Sequence, residues 1–312
     1  MLDEAMAGAL TRILNELELA NQMASEILSV VPDPSASKLI ITGDLIQSVN
    51  EHEARADDDP YKLERGSGQV GARTINLGDG EFAFIVSAEA LFAADHEFES
   101  AEELVEDAMK VGRHLALHEA GHAALHIRGE DSGAYEDLAA GDTIHRSWRK
   151  HLAAHMDDFR IELMARRAPN PMLQVNHIGS AIAHLRSEAN SAHATWRTDI
   201  DASVIQTMEA SNSLVRVMAY LAAELAPPAA GVVPRPDQIP EGWDEYLEDV
   251  WNAWVLTLHR LSPADEPMSV DSIASVLSDL CALVIAWQRS IGFEYVMHPD
   301  LRQEFYWTRP LY

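Results

Sequence analysis

Hydrophobic positions along this chain recur mostly at the helical period of 3.6 residues and only briefly at the strand period of two. Residues 3–29 place Leu10, Ile13, Leu14, Leu17 and Leu28 on or near one face, which predicts one amphipathic helix closed by Pro32 and Pro34. Lys38 to Thr42, Arg73 to Leu77 and Glu81 to Ser87 read as strands, the last two joined at Gly78-Asp79-Gly80 as a hairpin. Asp57-Asp58-Asp59-Pro60 and Gly66-Ser67-Gly68 mark an exposed loop before it. Residues 101–110 begin or immediately precede a long helix that runs on through Leu125. After a polar connection from Gly129 to Asp142, residues 148–167 fit only a helix, stopped by Pro169 and Pro171. From Gln174 onward the pattern is almost wholly helical, near 174–190, 199–225, 243–261 and 269–291. Pro227-Pro228 through Pro240 is the clearest linker. The aromatic tail from His298 to Tyr312 either docks onto the body or meets a partner. The expected fold class is therefore α+β and predominantly α-helical: an N-terminal helix in residues 1–35, a small β-hairpin or sheet preceding a long helix within 36–172, and a helical C-terminal region in 173–312.

The chemistry concentrates in His118-Glu119-Ala120-Gly121-His122. Residues four apart in a helix stand one above the other, so His118 and His122 can reach one metal ion. Glu119 lies about 100° around the helix, near enough to take a proton from a water held by that ion. This spacing is the signature of zinc metallopeptidases. Gly121, a helix-weakening residue in a run of good helix formers, suggests close backbone approach, such as a strand crossing the helix. His114 and His126 extend the four-residue series, but each step drifts by about 40°, which carries them away from the ion.

A catalytic zinc keeps three protein ligands and an open position, so a third ligand is required. The next long helix supplies candidates: His151, His155, Asp158 and Glu162 line one stripe at i, i+4, i+7 and i+11. Asp158 is the first choice, with Glu162 one turn on as the group that orients a ligating histidine. The reverse assignment, Glu162 as ligand, has the advantage of longer reach, and Asp157 and His155 are further alternatives. His151 or His155 is also a candidate donor to a developing oxyanion, against a plain packing or surface role.

With these residues in place the chain resembles the zincin metallopeptidases, and within them the gluzincin-like branch, where a second helix carries an acidic ligand followed four residues later by another acid. His118, Glu119, His122, Asp158 and Glu162 stand at the matching positions, with Asp where that branch usually has Glu. The His-Glu-Ala-Gly-His-Ala string also looks like the zinc motif of bacterial membrane-anchored ATP-dependent proteases, but no Gly-Lys-Thr or Gly-Lys-Ser nucleotide loop occurs here. The ImmA/IrrE-type bacterial and phage metallopeptidases offer a nearer resemblance. It spans about residues 70 to 170 and implies a zincin-like core in 36–172, a Zn²⁺ cofactor and a protein or peptide substrate. A hairpin before the metal helix suits such a core, since its edge strand can hold an extended peptide backbone.

Composition narrows the partners. The formal charge of −27 opposes binding to phosphate backbones, so nucleic acid is not expected. The longest uninterrupted apolar run, Leu280 to Trp287, is short of a membrane span, and the N-terminus lacks a basic start followed by an apolar stretch. The single cysteine, Cys281, excludes an intramolecular disulfide and favours a cytoplasmic setting. The reading is a cytosolic zinc-dependent endopeptidase with Glu119 as general base. The alternative is a zincin-like sensor or scaffold, its metal structural or absent, that binds a protein partner. Oligomeric state and substrate identity are open.

Overall fold

The computed structural model describes residues 4–31, 33–56, 58–65, 68–93, 98, 100–141, 143–168, 170–229, 232–298 and 302–312. Asp3, Pro32, Asp57, Gly66, Ser67, Asp142, Pro169 and Pro299, which the sequence marks as boundaries or loop positions, lie outside them. The fold is α+β and mainly helical, in two compact units: Met1–Arg128 with Met164–Leu173, and Gly129–Leu163 with Gln174–Tyr312.

In the first unit the expected N-terminal helix is two helices, α1 (Glu4–Asn15) and α2 (Leu19–Leu28). The break falls at Glu18, whose φ of 56° is left-handed, and no glycine or proline announces it. Burial is the reason for tolerating the bend: Ile13 on one side and Leu19, Met23 and Ile27 on the other all enter the same core. Strand β1 (Ser37–Thr42) leads into α3 (Leu45–Glu53), capped by Asp44, whose carboxylate accepts from the Gln47 amide at 2.9 Å. The sequence pattern did not disclose α3. A two-residue ladder, β2 (Glu64–Arg65) with β3 (Gly68–Gln69), precedes the hairpin of β4 (Ala72–Gly78) and β5 (Glu81–Ser87).

The sheet runs β1-β5-β4, with β5 parallel to β1 and antiparallel to β4. Central β5 is apolar at consecutive positions because both its faces are covered. Phe82, Phe84 and Val86 pack with Ala108, Ala116, Ala120 and Ala123 of the long helix α4 (Ala101–Ile127). Ala83 and Ile85, with Ile75 of β4, pack with Leu45 and Val49 of α3. Residues 101–110 thus belong to α4 itself, which starts at Ser100, its hydroxyl accepting from Glu103 N at 3.1 Å.

The second unit holds α5 (Ser132–Tyr135), α6 (Thr143–Ala165, to Leu163), α7 (Ile178–Thr195), α8 (Ile200–Glu224), α9 (Trp243–Tyr246), α10 (Glu248–Leu258) and α11 (Val270–Ile291). Their apolar faces share one core that includes Trp148, Leu152, Ile182, Leu214, Trp251 and Leu277. The proline-rich linker is tied down, since the Trp251 indole donates to Pro234 O at 2.8 Å and Arg235 pairs with Glu248. The aromatic tail docks within this unit. It forms the antiparallel pair β6 (Phe293–Met297) and β7 (Gln303–Trp307), and Tyr312 stacks on Phe293 with ring centres 4.8 Å apart. Among the described residues α11 is long and apolar enough to cross a membrane by length and composition, although its longest uninterrupted apolar run is short. One side of it, including Leu277, Leu280 and Val284, lies in the core. Cys281 is buried with them, and burial pushes its thiol up to about 12.

Candidate metal centre

Helix α4, in the first unit, carries the histidines of the motif. Its alanines let the helix lie close on the sheet, while His114, His118 and His122 follow one stripe. The His118 and His122 rings are 5.1 Å apart between centres, and His114 lies 6.2 Å from His118. His118 is 9% exposed and His122 is half-buried. Glu119 is 5% exposed. The hydroxyl of Thr74 on β4 lies 2.6 Å from its Oε2 and 2.8 Å from its main-chain oxygen.

His114 is tied down within the first unit. Its Nδ1 is 2.9 Å from Ala168 O, in the returning segment of the same unit. A carbonyl can only accept, so Nδ1 is the donor in this contact. His126 does not join the series: it pairs with Asn76 at 2.7 Å and sets its ring edge against Phe82. Close approach on α4 is clear at Gly112, where an added Cβ would meet Leu19 at 2.9 Å and Leu91 at 3.2 Å. Gly121 is buried.

In the second unit, Asp158 and Glu162 of α6, one turn apart, lie by Tyr220 of α8, with Glu162 also near Glu224; Arg216, Tyr220 and Glu224 are spaced by four residues in turn. The Tyr220 hydroxyl bonds the Asp158 carboxylate. Burial first, then the negative charges of Asp158 and Glu162, hold that phenol well above its ordinary range, so it stays a donor. Burial raises Glu224 too, assisted by the charge of Glu162 and opposed by the Gln174 and Val175 amides. The sequence reading passed over Thr74, Arg216 and Tyr220. Arg216 and Tyr220 did leave a trace, as polar residues at four-residue spacing in the otherwise apolar stretch Leu214 to Leu221.

Two alternative ligands are engaged elsewhere. Asp157 takes the Tyr135 hydroxyl on Oδ1 at 2.7 Å and the Ser132 amide on Oδ2 at 2.8 Å, which occupies both carboxylate oxygens. Burial pushes it up to about 7 against those hydrogen bonds, with the neighbouring charge of Asp158 adding to the rise. His155 is buried with Nε2 2.8 Å from Asn212 Oδ1, and burial lowers it to about 3, so it is a neutral packing residue. His151 sits at the surface with its ring edge against Trp148.

No family model, no curated protein and no solved structure matches the chain.

Proposed function

We propose that the chain is a zinc-dependent endopeptidase with a zincin-like core, acting in the cytoplasm on a protein or peptide substrate. The observation that carries this reading is the pair of imidazoles, His118 and His122, 5.1 Å apart on one helix, with a buried glutamate between them tethered to the neighbouring strand. Two neutral imidazoles and one carboxylate form a donor set that suits catalytic zinc. The third ligand in this proposal is Asp158, with Glu162 as the alternative. Asp158 is preferred because its carboxylate is already oriented by Tyr220.

When bound, zinc would act as a Lewis acid and lower the pKa of a coordinated water to about 7. This chain's own groups do the rest. Glu119 accepts the proton of the attacking water and returns it to the leaving amine, passing between two roles within one turnover. Strand β4, the outer strand of its sheet, offers an edge for an extended peptide. Glu119→Gln tests the reading. Incubated with a peptide library, the parent chain is expected to cleave in a chelator-sensitive way. The variant is expected to bind zinc equally and lose at least about 100-fold in rate. Cleavage independent of Glu119 overturns the proposal. A sensor or scaffold would instead keep its partner binding in the variant, with no cleavage by either chain.

A further inference from the structure

We infer that Thr74 is a positioning residue that fixes the carboxylate of Glu119 for proton transfer, an inference that rests on the peptidase reading above. Residues two apart in a strand face the same side, and on β4 those facing α4 include Thr74 and Asn76. Residues 119 and 126 are seven apart, nearly two full turns, so they too share a side of their helix. The strand is therefore pinned to the helix at two places, Thr74 to Glu119 and Asn76 to His126. Between these clamps Ile75 is buried on the opposite face of the sheet, which locks the strand's rotation.

The single hydroxyl proton of Thr74 is shared between two acceptors of the same residue, and the two contacts serve different ends. The 2.8 Å contact to the main-chain oxygen of Glu119 ties the hydroxyl to the helix backbone, which does not move with the side chain. The 2.6 Å contact to Oε2 then ties the end of a side chain with three rotatable bonds to that fixed point. Threonine suits the role because its branched Cβ restricts χ1, so the hydroxyl is held in place before the carboxylate arrives. At 5% exposure for Glu119, bulk water competes little for the same bond. A general base misplaced by about 1 Å loses much of its effect, so a hydroxyl that never touches substrate still governs the rate.

The full-length chain carrying Thr74→Val, Thr74→Ala or Thr74→Ser tests this. Zinc content, the ¹³Cδ resonance of Glu119 in the zinc-free protein, and kcat and KM on a peptide that the parent cleaves are compared. In Thr74→Val and Thr74→Ala the expected result is parental zinc content, a displaced Glu119 resonance, and kcat lower by about tenfold or more with KM within about twofold. Thr74→Ser, which keeps the hydroxyl, is expected to restore the resonance and most of kcat. Because both valine and alanine lack the hydroxyl, valine keeping the shape and alanine adding no bulk, whichever folds decides the matter. A parental resonance and kcat in either variant overturns the role of Thr74 alone. A parent chain that binds zinc and cleaves nothing overturns the peptidase reading and this role with it.

Discussion

Truncating the buried ion pair of the second unit is expected to destabilise that unit more than any surface charge change. Arg160 is fully buried and the Glu130 side chain is 5% exposed, with Nη2 2.7 Å from Oε2. Arg160 also donates from Nε to Ser262 O at 3.0 Å and from Nη2 to Glu266 O at 3.1 Å, and its own carbonyl accepts from the Ala264 amide at 2.8 Å. With an effective dielectric constant of about 20, opposite charges at that distance attract by about 6 kcal/mol, which the cost of removing both from water largely offsets. Removing one partner forfeits the attraction and keeps the desolvation of the other, at about 3–5 kcal/mol. Glu130→Ala is expected near the lower end, because two carbonyls still face the guanidinium. Tryptophan fluorescence in a urea titration reads this selectively: all seven tryptophans lie between residues 148 and 307, in the second unit. Replacing both partners by methionine is expected to cost less than the sum of the single changes by at least about 1 kcal/mol, since neither charge is left unpaired. Single costs below about 1 kcal/mol that simply add would refute the reasoning.

His155 is neutral in the fold, its pKa lowered from 6.5 to about 3 by burial, with the charges of Arg216 and His151 helping and Asn212 opposing. Its contribution is fully present above pH 6.5 and is lost as pH falls towards 3. His155→Gln is expected to relieve acid lability between pH 7 and 4.5 by on the order of 3 kcal/mol; equal losses in parent and variant would contradict it. Gly292, at φ 105°, ends α11, and a Cβ there would meet Arg309 Cγ at 2.7 Å. Gly292→Ala is expected to lower the urea midpoint by an amount worth about 1–2 kcal/mol, and an unchanged midpoint would count against the packing described. Asp158→Ala is expected to abolish tight zinc binding in a competition titration, with Glu162→Ala weakening it about 10- to 100-fold. Reversed severities would move the third ligand to Glu162.

Periodicity served well where one rule acted alone. The long α4 and α6, the hairpin at Gly78-Asp79-Gly80 and the helices after residue 174 were legible because burial repeats regularly in each. The bend at Glu18 was not, since a left-handed residue with no glycine is stabilised only by distant packing. Strands β6 and β7 were hidden because their apolar aromatic positions read equally well as a docking tail. At the candidate site the spacing of His118, Glu119 and His122 was open to view, whereas the removal of His155 and Asp157 depended on Asn212, Tyr135 and Ser132. Those are partners 22 to 57 residues away in sequence, beyond the reach of helical spacing. Thr74 was hidden for the same reason: a threonine in a strand carries no mark of what its hydroxyl meets.

The central claim is that His118, His122 and Asp158 hold one zinc ion, and metal analysis of the purified chain tests it most directly. Dialysed against trace zinc, the parent is expected to carry about one zinc per chain, and His118→Ala with His122→Ala close to none. A parent that holds less than a few tenths of a zinc, unrestored by added Zn²⁺, or a double variant that holds as much as the parent, would contradict the account.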